Sequence, residues 1–272
     1  CALQRVTHKP QIQHVRRLNK LLTWIQRHPK KLLYKRFGKA PGGSHRAETR
    51  KPSSHLRVIS DAAYKKETED GYSLRGALFL RGEGCDHDSF SKNTTVHVLD
   101  WACRSQRHVT RSTFSAELLS AGDAIDQGML ISHMLYEMEH GPISMQEARN
   151  KRMQGGYVPT ALFLDAKSVY AAIIATFIKP PAEKSLLCHI QYIRELLDKG
   201  IIQYLFWIDT RDMVADGLTK GAVDRNTLHA LMDGVQVLQH EYEQWKSKQL
   251  MRLADDPKSS ETLAQECEGP RT

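Results

Sequence analysis

VPTALFLDAKSVYAAIIATF, residues 158–177, sets a short apolar run against a carboxylate. Ala161-Leu162-Phe163-Leu164 has the length and composition of a buried strand, and Val169, Ala172 and Ile173 then recur at helical spacing. Asp165 stands where the strand stops. An aspartate there reads equally as an N-cap for the following helix or as a functional carboxylate. The choice turns on whether other acids sit in comparable places.

Working outward, HLRVISDAAY (55–64), GYSLRGALFLRG (71–82) and VHVLDWACRSQR (96–107) read as three strands, with a polar loop from Glu83 to Thr95 between the last two. Their short connections predict an antiparallel meander. Residues 112–138 carry Phe114, Leu118, Ala121, Ile125 and Met129 on one helical stripe, with Ser112 or Thr113 as N-cap. A loop containing Gly141, Gly155, Gly156 and Pro159 leads to the opening strand. A helix over 183–199 ends at Gly200, IIQYLFWI (201–208) is a fifth strand, and DTRDMVADGLTKG (209–221) is a short helix stopped by Gly221. The order β-β-β-α-β-α-α-β-α predicts an α/β fold, a mixed five-stranded sheet with helices packed on it.

The 272 residues suffice for one sizeable domain with flanks. Lys and Arg number 39 against 31 Asp and Glu, a net charge of +8 that favours a polyanionic partner. Five widely separated cysteines form no C-x-x-C pair, and Cys85 with His87 lacks a second pair, so a zinc or disulfide framework is not expected. The thiols read as free, in a reducing compartment. No apolar run reaches the roughly 18 residues of a membrane span, and no signal peptide is read. The expected location is intracellular, in a cytoplasmic particle or the nucleus, not secreted. A start at Cys rather than Met suggests a piece of a longer chain. Val15, Leu18, Leu21, Leu22 and Ile25 mark an N-terminal helix with a basic opposite face, ended by Pro29. Residues 38–54 read as a linker and those after about 247 as a charged, disordered tail.

Three other acids share the setting of Asp165. Asp61 ends the first strand. Glu117 lies one turn into the long helix beside its apolar stripe, and Asp216 sits between Val214-Ala215 and Leu218. Each has an ordinary alternative: a turn cap at Asp61, a capping-box acid at Glu117 (though Ser115 has the better spacing), a solvated helix acid at Asp216. Jointly the ordinary readings weaken, because two strand-end acids would share one end of one sheet. Clustered buried carboxylates do not remain ionised unpaired. Oxygen-only ligands suit Mg²⁺ or Mn²⁺, and two such ions about 4 Å apart promote phosphodiester hydrolysis.

The chain resembles the ribonuclease H domain of copia-type (Pseudoviridae) retrotransposon polyproteins, the C-terminal part of their reverse transcriptase. The resemblance lies in S-D-A-A-Y (60–64), W-A-C-R-S-Q-R (101–107), T-R-S-T-F-S-A-E (110–117), L-F-L-D-A-K-S-V (162–169), C-H-I-Q-Y-I-R-E (188–195) and V-A-D-G-L-T-K (214–220), six blocks in order over about residues 55–221. It implies a ribonuclease H-like fold and endonucleolytic hydrolysis of the RNA strand of RNA–DNA hybrids. The family's four metal-binding acids fall on Asp61, Glu117, Asp165 and Asp216. Two ions are implied, with Asp61 bridging both, Glu117 and Asp165 holding the one near the attacking water, and Asp216 the other. Arg107, Arg111, Lys167, Ser168 and His189 are candidate nucleic-acid contacts, whereas Trp101 reads most simply as core. The sequence departs from the family at Ala166, Cys188 and Gln191, which puts substrate-strand contacts in doubt, and Asp209-Thr210-Arg211-Asp212 carries no His ahead of the last acid. By the resemblance, residues 1–54 connect to the polymerase domain of the same polyprotein, 55–222 form the ribonuclease H unit, and 223–272 are a C-terminal helix and tail. No Y-x-D-D polymerase motif occurs. The alternative is an inactive remnant that keeps the fold and at most binds nucleic acid.

Overall fold

The computed structural model describes residues 7–37, 54–64, 72–84, 89–90, 93–221 and 226–247. Of the expected linker over 38–54, Ser54 instead opens the first strand and the rest lies outside the described residues, as do the Cys85/His87 pair and the tail beyond 247. Five strands were expected and all five are present: β1 (Ser54–Ala63), β2 (Leu74–Glu83), β3 (Thr94–Ser105), β4 (Thr160–Leu164) and β5 (Tyr204–Ile208). Two short strands extend them, β6 (Val235–Gln236) and β7 (Tyr242–Lys246), in the order β6-β3-β2-β1-β4-β5-β7. β1, β2 and β3 form the antiparallel meander, and β1, β4 and β5 run parallel. This is the expected α/β arrangement, a mixed sheet flanked by helices, widened by one short strand at each edge.

The helices are α1 (Ile12–Arg27), α2 (Thr113–His140), α3 (Met145–Met153), α4 (Lys167–Ile174), α5 (Leu186–Asp198), α6 (Asp216–Thr219) and α7 (Asn226–Met232). The Ser112 hydroxyl caps α2 by accepting the Ser115 N–H, and the Ser115 hydroxyl closes the reciprocal box. Helix α3 lies where a loop was expected. Its sequence MQEARNKRM buries only Ala148, so it has no apolar stripe to betray it. The expected helix over 209–221 is broken into a 3₁₀ turn at Thr210–Asp212 and the single turn α6.

The sheet separates two cores. Leu56, Val58, Phe79, Leu162 and Leu205 face α2, α4 and α5, whereas Ile59, Leu80, Phe163 and Phe206 face Met213, Val214 and Leu231. Alternation along each strand divides them. In the second core Arg57 is fully buried. Its Nε donates to His55 Nε2 at 2.9 Å and one terminal nitrogen donates to Gln236 Oε1 at 2.6 Å, which ties β6 to β1. Since His55 Nε2 accepts, its Nδ1 bears the proton donated to the Gly84 carbonyl at 2.7 Å. Burial and then the Arg57 charge push the His55 pKa down to about 3, and burial lowers Arg57 to about 9.

Trp101, read from sequence as core, is 57% exposed. A register shift between Phe79 and Leu80 interrupts the pairing nearby, and among the described residues β3 is paired on its outer side only at Thr94 and Thr95, which leaves Trp101 on an edge. Residues 30–37 pack against the same region. Leu33 N–H donates to the Met232 carbonyl, Tyr34 Oη to the Val98 carbonyl at 2.8 Å, and Phe37 stacks on His97 at 4.1 Å. Helix α1 itself buries no residue.

Helix α2 approaches β1 most closely at Gly128, where a Cβ would lie 2.7 Å from Val58 Cγ2; at Gly122 it would meet nothing within 4 Å. Gly122→Ala therefore raises stability by about 0.5–1 kcal/mol through helix propensity. Gly128→Ala lowers it by about 1–3 kcal/mol through overpacking. Urea-unfolding midpoints of the two variants should move in opposite directions.

Candidate active site

The site follows from strand register. β1 and β4 pair in parallel as far as Ile59 opposite Phe163. Two residues further along each strand, the same register sets Asp61 opposite Asp165, with both side chains on one face. Asp61 is wholly buried, and Asp165, just past β4, is partly exposed. Asp216 opens α6 directly below. Carboxylate oxygens of Asp61, Asp165 and Asp216 lie within 4.8 Å of one another. Glu117, buried on α2, reaches the same place, with its carboxylate accepting the Ala62 N–H. The structure thus gathers three of the four expected acids within that distance, and Glu117 stands near enough to feel the charges of Asp61 and Asp165.

A second tier holds them. Thr219 Oγ1 donates to Asp61 Oδ2, Ser120 Oγ to the Asp61 carbonyl at 2.9 Å, and Thr210 Oγ1 to Asp165 Oδ2 at 3.1 Å. Trp207 Nε1 donates to the Asp165 carbonyl at 2.8 Å. Gly76 pairs with Asp61 across β2, and a Cβ there would lie 2.6 Å from Thr219 Cγ2. The missing side chain is what admits Thr219 to Asp61.

Lys220 was not singled out from sequence, although it stands four residues after Asp216, the spacing at which helical side chains meet. Its ammonium donates to Asp216 Oδ1 and lies 3.5 Å from Asp61 Oδ1. Burial disfavours the Lys220 charge, but the Asp216 bond and the fields of Asp61, Asp216 and Asp165 outweigh it and hold its pKa above the ordinary value. The acids are displaced the other way. Burial first, then Asp61 and Asp165, push Glu117 up to about 9. Burial and then Asp61 raise Asp165. Burial is also the main cause for Asp216, raised to about 6 against the opposing pull of Lys220.

The candidate nucleic-acid contacts are more dispersed. Arg107, Arg111 and Ser168 are exposed, and His189 is half-buried on α5. Lys167 is engaged within the protein: its ammonium pairs with Glu243 at 2.8 Å and sits 4.4 Å from the Trp207 ring centroid.

No protein-family model and no curated protein matches the chain. Among solved structures it is similar to LC11-RNase H1 in complex with an RNA/DNA hybrid, at 12% identity and a TM-score of 0.37, over 62% of this chain and 97% of that one. It is similar to the N-terminal RNase H domain of rv2228c from Mycobacterium tuberculosis, fused to maltose binding protein, at 15% identity and a TM-score of 0.35, over 61% and 91%. It is also similar to LC11-RNase H1 isolated from compost, at 11% identity and a TM-score of 0.36, over 63% and 96%. Likenesses at this level carry no argument about chemistry, which rests on the residues themselves.

In chelator the raised acids set a pH dependence. A carboxyl whose pKa is higher folded than unfolded contributes stability that is complete below its unfolded pKa and lost as pH rises through the folded value. Stability should therefore fall through about pH 6 for Asp216 and about 9 for Glu117, at up to about 1.4 kcal/mol per pH unit for each group. Glu117→Gln should match wild type near pH 4 and exceed it increasingly towards pH 9, as read from urea midpoints.

Proposed function

We propose that the chain is a metal-dependent ribonuclease H that hydrolyses the RNA strand of RNA–DNA hybrids. The observation that carries this is the convergence of Asp61, Asp165 and Asp216 within 4.8 Å, with Glu117 beside them. Burial and then the neighbouring carboxylates raise the pKa values of Glu117, Asp165 and Asp216; such a set calls for cationic charge, and oxygen-only ligands fit Mg²⁺ or Mn²⁺. Asp61 would help to hold both of two such ions. Glu117 and Asp165 would hold one, and Asp216 the other. Bound there, the ions would supply a water acidic enough to attack and charge to stabilise the leaving oxygen.

The chain's own residues do the positioning. Ser120 and Thr219 fix Asp61, and Thr210 fixes Asp165. Lys220 compensates Asp216 and Asp61 until those oxygens turn to a cation, and its flexible stem lets it withdraw.

The six sequence blocks support a finer reading, in which the chain is part of a copia-type retrotransposon polyprotein and acts inside the cell. Residues 1–54 then connect to a polymerase domain, against which α1 sets the exposed Val15, Leu18, Leu22 and Ile25. Residues 55–222 form the ribonuclease H unit, and 223–272 follow it, supplying β6 and β7 to its sheet edges. No helix among the described residues is long and apolar enough to cross a membrane.

The decisive experiment is cleavage of a hybrid labelled on each strand, in Mg²⁺, Mn²⁺ and chelator. RNA fragments that require metal are expected, and Asp165→Asn should reduce them to background while the chain stays folded. A folded wild type that binds metal yet cuts neither strand would favour the remnant. Saturating metal at about 100 times its Kd should stabilise wild type by about 2.7 kcal/mol, and Asp165→Asn by less.

A further inference from the structure

We propose that Arg75, Arg104 and Arg107 form a subsite for the phosphodiester backbone of the bound duplex, one strand away from the acid centre. The proposal rests on the reading of the chain as a hybrid-binding protein, but not on its cutting the hybrid.

Arg75 on β2 pairs directly with Arg104 on β3. Like charges opposite one another on antiparallel strands destabilise the pair. Arg107 follows two residues beyond the last rung, Leu74 with Ser105. The three arginines line an open groove of about 480 Å³ between this edge and α2.

The acids in the groove do not neutralise it. Asp123 pairs with Arg75, and Asp126 accepts the Tyr192 hydroxyl at 2.6 Å. Arg104 and Arg107 are exposed, with no carboxylate in ion-pair reach among the described residues. Burial, then the fields of Arg107 and Arg104, lower the Arg75 pKa. The cluster therefore holds uncompensated positive charge at a cost to the fold, and a polyanion relieves that cost. Guanidinium forks suit phosphate oxygens, which they grip two at a time.

The groove also leads to the acids. Gly76, in its wall, is the cross-strand partner of Asp61, and Ser120, also in its wall, donates to the Asp61 carbonyl. Neighbouring strands lie about 4.8 Å apart, so one nucleic-acid backbone can lie in the groove and cross the acid centre.

The test measures binding of a labelled RNA–DNA hybrid to the full chain in chelator over a series of salt concentrations. Each phosphate contact contributes roughly −0.9 to the slope of log K against log salt for a duplex. Arg104→Ala with Arg107→Ala should weaken binding and flatten the slope by roughly 1.8, while the double Lys variant keeps the wild-type slope. The same charge loss beyond the far end of α2, Arg149→Ala with Lys151→Ala, should leave the slope unchanged. An unaltered slope in the Arg104/Arg107 alanine variant, or equal flattening in the Arg149/Lys151 variant, overturns the subsite. Wild type that cleaves while the Arg104/Arg107 slope is unaltered sinks only the subsite. Arginine-dependent binding without metal-dependent cleavage sinks only the enzyme, and absence of hybrid binding by wild type sinks both.

Discussion

Two carboxylates at the ends of neighbouring parallel strands repel each other, and the register of β1 against β4 leaves them no way apart. The register cannot slip, because a shift of one residue would carry Ile59 and Phe163 into the opposite core and Val58 and Leu162 out of theirs. Asp61 and Asp165 are thus fixed by apolar packing several residues away. Glu117 arrives the same way, on a helix whose approach to β1 is set at Gly128. Hydrophobic burial, which is large and non-directional, forces together charges that would separate in water.

Three kinds of relief are open to such a cluster: protonation, an internal cation, or a bound one. The metal-free protein uses the first two. Glu117, raised to about 9, carries its proton at neutral pH. Lys220 brings one positive charge between Asp61 and Asp216. One ammonium cannot neutralise the remaining three aspartates, and its three donors cannot serve oxygens spread around it. A divalent ion brings twice the charge to a point and has no stem to constrain it. On the proposed reading the metal-free arrangement is a holding state, kept compact by Lys220 and kept open by Thr219 and Gly76, which secure Asp61 from below.

β4 and β5 were legible because they are short apolar runs buried on both faces, and β1 to β3 because short connections join runs with branched and aromatic residues. The start of α2 was legible because Ser112 and Ser115 form a box whose spacing is local. Helix α3 was not, since a polar surface helix has no period to read. β6 and β7 were not, because short edge strands are defined by their partner: β6 exists through Thr94 and Thr95, and β7 through the whole of β5. Trp101 misled because a large aromatic in a strand is usually covered, and whether a strand is central or at an edge depends on topology. The four acids were singled out by their setting beside apolar residues and assigned a role by the family resemblance. Lys220 was missed because a spacing of four from Asp216 does not by itself show that the pair is drawn in beside Asp61. Of the arginine groove only Arg107 was noticed, because Arg75 lies far off in sequence and joins Arg104 only through the β2–β3 register.

On the proposed reading, acid centre and arginine groove divide the work of handling a polyanion. A carboxylate cluster repels phosphate and contributes nothing to holding a nucleic-acid backbone until cations fill it. Binding energy must come from elsewhere on the substrate, and energy gained at remote phosphates can be spent to hold a reactive one where it would not settle by itself. Arg75, Arg104 and Arg107 lie close enough for one backbone to use both places, yet on β2 and at the end of β3 rather than on the elements that carry Asp165 and Asp216. Affinity then follows salt and catalysis follows metal. In this arrangement a copy whose carboxylates decayed would still bind duplex, while one whose arginines decayed would keep a sound centre with little to cut.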